Sequence, residues 1–214
     1  MVERPRLPSL LFEQLEAGDE NDFVVHRSHD GVAFTDLDLT GERLPDRDLV
    51  ECTLTRARLD DADLRGSRVR ESRLERCEAT ALKLSEAELR EVELTGCRFG
   101  ALESYDARLR MVHFRDCRLG YVNLRGAELV DVTFENCLVT DLDLGGARVN
   151  RLALTGCRVD NLLLAGAEAS DLDLRGATLH EIVGIEGLRG ATVSPDQLHE
   201  LAPLLAAYLG IEIG

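Results

Sequence analysis

The sequence contains no tryptophan, and only three tyrosines and six phenylalanines occur among its 214 residues. An interior built around large rings is therefore excluded, and the apolar volume has to come from leucine, valine and alanine. Basic residues are scarce too, since 25 lysines and arginines stand against 40 aspartates and glutamates, giving a net charge of −15. Such a chain repels nucleic-acid phosphates and anionic lipid headgroups, so neither nucleic acid nor a membrane is an expected partner.

Long apolar runs and an export signal are also missing. No stretch approaches the roughly 18 apolar residues that a membrane-spanning helix needs, and the first residues lack the basic-then-apolar pattern of a secretory signal. We therefore expect a cytoplasmic protein whose six cysteines are reduced thiols. A hydrophobic content of 44 % excludes a disordered chain.

What the sequence does contain is a five-residue repeat. Of the 30 positions found by taking every fifth residue from Phe34 to Leu179, 19 are leucine, 4 phenylalanine and 4 valine. A second column, two residues earlier, is mostly alanine, cysteine, leucine or valine. The spacing of two within a unit is that of a β-strand, whereas a period of five requires a turn in every unit. Glycines such as Gly66 and Gly126 follow the first column by two residues, where positive φ suits a turn.

A longer period, four times the length of the unit, is visible in Cys77, Cys97, Cys117, Cys137 and Cys157. It predicts that every fourth unit stacks on the same face of a solenoid. These thiols could form a metal or redox site, or they could simply pack. Packing is favoured because they occupy inward positions, no histidine accompanies them and no C-x-x-C pair occurs.

Sequence signals for an enzyme are missing. The chain has no G-x-x-x-x-G-K-[ST], H-E-x-x-H or G-x-S-x-G motif. A rod filled by its own side chains also lacks the concavity that a small-molecule substrate needs. We therefore expect no catalytic residue, no cofactor, no metal and no small-molecule substrate.

Several units resemble the A-[DN]-L-x-x unit of the pentapeptide-repeat proteins, among them Ala62–Gly66, Ala127–Leu129 and Ala177–Leu179. The match covers about 150 of the 214 residues. The resemblance implies an all-β fold, a right-handed quadrilateral parallel β-helix in which four units make one coil, with a short C-terminal helical cap. Because each coil rests on its neighbours, both ends of such a rod need caps.

We expect three parts: an N-terminal cap over residues 1–31, the β-helix over 32–193, and a C-terminal helix with an extended tail over 194–214. Within the N-terminal cap, the leucines between Leu7 and Leu15 suggest one or two short helical turns, and Phe23–Val25 suggests an extended piece over the first coil.

The C-terminal helix has clear sequence signals. Ser194, the following proline and Gln197 predict its start. Pro203 predicts either two short helices or one kinked helix. Gly210 predicts its end, and Ile211–Ile213 reads as an extended segment.

The apolar residues of this helix exceed what a short cap needs, which predicts a homodimer through the C-termini. The alternative is a monomer whose helix folds back completely. A similar C-terminal helix joins two rods in the quinolone-resistance pentapeptide-repeat proteins, so the resemblance favours the dimer. The predicted interface residues are Leu201, Leu204, Leu205, Tyr208 and Ile211.

Within its family the chain resembles the quinolone-resistance members of the MfpA and Qnr type, and it is most similar to the loop-free actinobacterial kind. The resemblance implies an acidic rod that mimics duplex DNA, binds DNA gyrase or a related type II topoisomerase, and confers resistance to poisons such as fluoroquinolones. The alternative is a structural rod that binds an unidentified protein. Carboxylates expected to meet a cationic partner concentrate in the N-terminal half: Asp46, Asp48, Glu51, Asp60, Asp61, Asp63, Glu71, Glu86, Glu88 and Glu91.

Overall fold

Each five-residue unit forms one side of a square coil, because its two apolar residues point inward as they do in a strand and the next residues turn the chain. The computed structural model describes residues 2–12 and 14–211, and it is a right-handed quadrilateral parallel β-helix of about 8 turns, as predicted. The strands are β1 (Glu16–Gly18), β2 (Ser28–Asp30), β3 (Val32–Thr35), β4 (Asp48–Val50), β5 (Thr53–Thr55), β6 (Arg68–Glu75), β7 (Glu78–Lys83), β8 (Glu88–Thr95), β9 (Arg98–Glu103), β10 (Arg108–Arg115), β11 (Arg118–Asn123), β12 (Glu128–Glu135), β13 (Leu138–Asp143), β14 (Arg148–Thr155), β15 (Arg158–Leu163), β16 (Glu168–Asp173) and β17 (Thr178–Val183). The helices are α1 (Glu20–Val25) and α2 (Pro195–Leu209), with a 3₁₀ turn at Ile185–Leu188.

Strands of successive coils pair in parallel, and each residue lies opposite the equivalent residue four units later. Val112 of β10 lies opposite Val132 of β12, which in turn lies opposite Leu152 of β14. In the described residues these pairings build one sheet of 11 strands and one of 6. The register confirms that four units make one coil, as the cysteine spacing predicts.

The corners of the coil require left-handed backbone. Gly66 and Gly126 have φ of 67° and 66°, which confirms their predicted role in turns. Many other corners carry acidic residues in the same conformation, including Glu71 at 49° and Asp131 at 59°. Left-handed backbone costs a residue with a Cβ more than it costs glycine, and aspartate tolerates it better than most. The acidic residues at the corners therefore have two roles: they adopt the backbone conformation of the turn, and they contribute to the negative charge of the surface.

The interior is a continuous stack of the two apolar columns. The rings of Phe114 and Phe134 stack with their centroids 4.4 Å apart and their planes 3° apart. All six cysteines are free and buried in this stack. Because every coil fills its own centre, the core runs along the whole rod.

Helix α1 covers the first coil. Asp19 caps it by accepting the Asp22 N–H at 2.8 Å, and Phe23 is completely buried, stacking on His29 and meeting Phe34 edge-on. The prediction of an extended Phe23–Val25 is therefore wrong. The chain is helical here because an N-cap aspartate and acidic residues in the first turn favour a helix, and one turn suffices to bury the Phe23 ring.

Residues 2–12, which we name the N-terminal strap, contain no helix or strand. The helical turn expected from Leu7 onward is thus not found in residues 7–12. Pro5 and Pro8 restrict the backbone, and the strap hydrogen-bonds to distant corners of the rod instead of to itself. Local sequence patterns do not predict such long-range hydrogen bonds.

Helix α2 closes the other end and begins as predicted. Ser194 accepts the Gln197 N–H, and the Gln197 side chain accepts the Ser194 N–H at 2.8 Å, which completes a capping box. A single helix continues through Pro203, and Gly210 ends it with φ of 70°. The predicted extended segment lies outside the described residues except for Ile211.

Candidate partner-binding surface

The rod has four faces, which differ in their outward-facing side chains. We number them by the residues that recur along each face once per coil: face 1 runs from 48–50 to 168–170, face 2 from 53–55 to 173–175, face 3 from 58–60 to 178–180, and face 4 from 63–65 to 163–165. On face 1 the first outward column is fully charged, with Asp48, Arg68, Glu88, Arg108, Glu128, Arg148 and Glu168.

The predicted partner-binding carboxylates divide between two parts of the surface. Seven belong to face 1 or to the corners beside it: Asp46, Asp48, Glu51, Glu71, Glu86, Glu88 and Glu91. The other three, Asp60, Asp61 and Asp63, belong to faces 3 and 4 and the corner between them. A single flat partner therefore does not meet all ten carboxylates at once.

Four of the ten carboxylates are already engaged by the rod. Asp48 pairs with Arg70 at 2.9 Å, and Glu91 approaches Arg90 at 3.4 Å. Asp60 accepts the Thr80 N–H at 2.7 Å. Asp63 is buried against Arg65, whose hydrogen bond holds the pKa of that carboxyl below its usual value despite the burial.

The remaining six carboxylates are exposed and have no ion-pair partner among the residues that the structure describes. They are Asp46, Glu51, Asp61, Glu71, Glu86 and Glu88. All but Asp61 flank or lie on face 1 in its N-terminal half. Farther along this face the charge is mixed, since Glu128 lies between Arg108 at 3.7 Å and Arg148 at 3.0 Å.

Helix α2 buries only part of its apolar surface. Gln197 is buried, and Leu201 packs partly against the core of the rod. Leu205 is half-buried. Leu204, Tyr208 and Ile211 are exposed to 38 %, 59 % and 56 %. Leu209, which the helical spacing did not single out, is 67 % exposed beside them, so the end of the helix presents an apolar patch.

The cysteine ladder consists of packed thiols. Cys77, Cys97 and Cys117 each donate a hydrogen bond from Sγ to a carbonyl of the preceding coil, at 3.3 to 3.5 Å. Burial raises the pKa of the Cys52 thiol, so this group is kept as the neutral thiol. No group of metal-ligating side chains occurs among residues 2–12 and 14–211.

Concave regions lie on the surface of the rod. One of them, of about 680 Å³, is on face 1 near the C-terminal end. It is lined by rows of outward side chains from β12, β14 and β16 together with Glu186 and Arg189. Ala169 occupies a position where the column usually has leucine or valine, which removes volume at this place.

Comparison with known proteins identifies the repeat. A family model described as a pentapeptide repeat region matches residues 47–124 and 87–164, and no curated protein matches the chain. Among solved structures, full-length QnrB1, a plasmid-mediated fluoroquinolone resistance protein, is 18 % identical and covers 92 % of this chain and 95 % of its own, with a TM-score of 0.35. HetL, a pentapeptide repeat protein involved in heterocyst differentiation regulation from the cyanobacterium Nostoc sp. strain PCC 7120, is 21 % identical over 81 % of this chain and 89 % of its own, with a TM-score of 0.23.

Neither helix of the described residues has the length and apolar character needed to cross a membrane. The family matches span more than half of the chain, and they fall on coils whose four-unit register the structure shows directly. The chain belongs to the pentapeptide-repeat family.

Proposed function

We propose that this protein is a cytoplasmic DNA mimic that binds DNA gyrase and lowers its sensitivity to poisons such as fluoroquinolones. The main support for gyrase binding is the row of unpaired, exposed carboxylates at face 1, which a positively charged DNA-binding surface would attract. In this proposal the chain consists of an N-terminal cap (residues 1–31), the β-helix (32–193) and a C-terminal helix with its tail (194–214). The resemblance of the repeat units to those of the quinolone-resistance members of the pentapeptide-repeat family also supports this proposal.

The charge density of face 1 is comparable with that of DNA only in the N-terminal half. Residues 46–88 span about two coils, or about 10 Å, and a duplex of that length carries about six negative charges. Five unpaired carboxylates occupy this stretch of face 1, accompanied by the exposed Arg68. Residues 32–181 as a whole carry a net charge of only −8. We therefore place the gyrase contact at the N-terminal half of face 1.

A charge-reversal experiment tests this placement. Glu71→Lys with Glu88→Lys should raise the protein concentration needed for half-inhibition of gyrase supercoiling about tenfold, because two attractive contacts become repulsive. The control pair, Asp61→Lys with Asp116→Lys, changes the net charge equally at corners away from face 1 and should have little effect. Raising the salt concentration should weaken the unmodified protein more than the face 1 variant.

Two outcomes contradict the proposal at different levels. Equal effects of both charge reversals would mean that face 1 is not the contact. No inhibition and no relief from a fluoroquinolone at micromolar unmodified protein would reject gyrase binding altogether. The second candidate, a rod that binds another protein, is favoured by the mixed charges around Glu128, and it predicts that outcome.

We also propose that two chains associate through the exposed end of α2, which gives an elongated dimer with a net charge of −30. Leu204→Asp with Tyr208→Asp should convert a dimer into a monomer of 23.6 kDa in light scattering, because aspartates replace buried apolar contacts. The control His199→Asp lies at an exposed position on the side of the helix away from Leu204 and Tyr208, and it should leave the dimer intact. A monomeric unmodified protein would end this proposal.

A further inference from the structure

The N-terminal strap lies along face 2 and runs from the C-terminal coils towards the N-terminal ones. The Glu3 N–H donates to Oδ1 of Asp171, and the Arg6 N–H donates to Oδ1 of Asp131, both at 3.0 Å. At the other end of the strap, the Arg73 guanidinium lies over the Phe12 ring, 5.3 Å from its centroid. The strap thus follows the rod across about five coils, so it is docked on the face along its length.

Burial beneath the strap marks a groove. The first outward position of face 2 is buried in five successive coils, at Glu93, His113, Thr133, Ala153 and Asp173. The corresponding positions of face 1, which no strap covers, are exposed in the same coils. A single outward residue such as Asp63 can be buried by its own ion pair, but among the described residues an uninterrupted run of buried outward positions occurs only on face 2. We name this surface, with the corner residues Asp131, Arg151 and Asp171, the face 2 groove.

The spacing of the two aspartates suits an extended polypeptide. Asp131 and Asp171 occupy the same corner two coils apart, which corresponds to about 9.6 Å. A polyproline II segment has three residues per turn and rises about 3.1 Å per residue, so N–H groups three residues apart point the same way about 9.3 Å apart. Glu3 and Arg6 have this separation, and Pro5 lies between them. The corner therefore recognises main-chain N–H groups with a repeat that the β-helix itself sets.

The groove is negatively charged beside the basic side chains of the strap, since Arg6 helps to lower the pKa of Asp131 and Arg4 helps to lower that of Asp173. Arg151 pairs with both carboxylate oxygens of Asp131, at 2.5 and 3.0 Å. Burial by itself would raise the pKa of Asp131, but Arg151 and the Arg6 N–H outweigh it, so the pKa is lowered and the carboxylate stays charged. A cavity of about 520 Å³ remains between the strap and the wall of the groove. The strap thus leaves room for a ligand with bulkier side chains.

We propose that the face 2 groove is a peptide-binding site for an extended, arginine-containing proline-rich segment of a partner protein, and that the N-terminal strap occupies it as a competing internal ligand. The site is separate from the N-terminal half of face 1, so it does not depend on gyrase binding. Displacement exchanges the strap for a segment that offers the same N–H spacing and fills the cavity. A partner segment therefore occupies the groove only if it binds there more favourably than the tethered strap does.

The test measures binding of a fluorescein-labelled peptide with the sequence of residues 2–12, by fluorescence anisotropy, to full-length protein. In the variant Arg4→Glu with Arg6→Glu, the tethered strap faces the groove with reversed charge and is released. We expect the peptide to bind this variant about tenfold more tightly than the unmodified protein. The control Arg68→Glu with Arg118→Glu makes the same charge change at exposed positions of faces 1 and 3, and it should bind as the unmodified protein does.

Main-chain recognition is tested by a peptide whose residue corresponding to Arg6 carries an N-methyl group. Loss of the N–H that donates to Asp131 should weaken binding to the released variant about tenfold. Equal binding of the methylated and parent peptides, or no binding to the released variant, would overturn the proposal. Hydrogen exchange of the unmodified protein gives an independent check, since rapid exchange throughout residues 2–12 would show that the strap does not occupy the groove.

Discussion

Phe134→Ala is expected to lower the free energy of unfolding by about 3–5 kcal/mol. Phe134 is completely buried and stacks on Phe114 of the preceding coil. Alanine would leave a cavity in a column where each coil contacts only its two neighbours, so the surrounding coils have little freedom to collapse into it. Urea denaturation followed by circular dichroism measures the change.

Phe134→Leu is the matched control for this substitution. Leucine is the commonest residue of the same column, and it restores most of the volume while removing the ring stacking. We expect it to cost about 1 kcal/mol. If Phe134→Ala cost no more than Phe134→Leu, the view of the interior as a filled stack would be wrong.

Gln197→Ala is expected to lower the free energy of unfolding by about 3 kcal/mol, because it exposes the edge of the last coil. The Gln197 Nε2 donates to the carbonyl oxygens of Leu174 and Ala177, at 2.6 and 2.7 Å, and the side chain is buried. Without it two buried acceptors lose their partner, and the capping box at Ser194 is lost as well. Thermal unfolding, with hydrogen exchange of residues 172–183, detects the fraying.

Gln197→Glu separates these two roles of the side chain. Glutamate at this position of a helix keeps a capping box, but it presents carboxylate oxygens to the two carbonyls that need a donor. We therefore expect Gln197→Glu to destabilise the last coil at least as much as Gln197→Ala does. A variant as stable as the unmodified protein would show that α2 does not close the rod through Gln197.

The sequence repeat predicts some, but not all, of the ion pairs that the surface carboxylates form. Several ion pairs join equivalent positions of successive coils, such as Arg98 with Glu78 and Arg148 with Glu128, so the period predicts them in principle. The pair between Asp48 and Arg70 joins positions that are not equivalent and crosses the face diagonally. Whether a diagonal ion pair forms depends on the rotamers of both side chains. The sequence period therefore does not show which carboxylates remain unpaired in the folded rod.

One sequence feature is consistent with the face 2 groove, namely the loss of charged residues from an outward column. The first outward column of face 2 has no aspartate, glutamate, lysine or arginine at His113, Thr133 and Ala153, whereas the same column of face 1 has one at every position. Loss of charge at outward positions is what a covered surface predicts. The sequence does not show which segment covers this surface, because the strap contacts Asp171 and Asp131, which are more than 100 residues away along the chain.

Spacings in the sequence are enough to predict a strand-and-turn unit of five residues, the stacking of every fourth unit, the turn glycines and the capped start of α2. The right-handed, four-sided β-helix is what the resemblance of these units to the pentapeptide repeat implies. The position of the strap, the pairing of the carboxylates and the exposure of α2 become visible only in the folded chain, because each depends on contacts between residues that the solenoid brings together across coils. The repeat specifies only neighbours within a unit and one coil above or below.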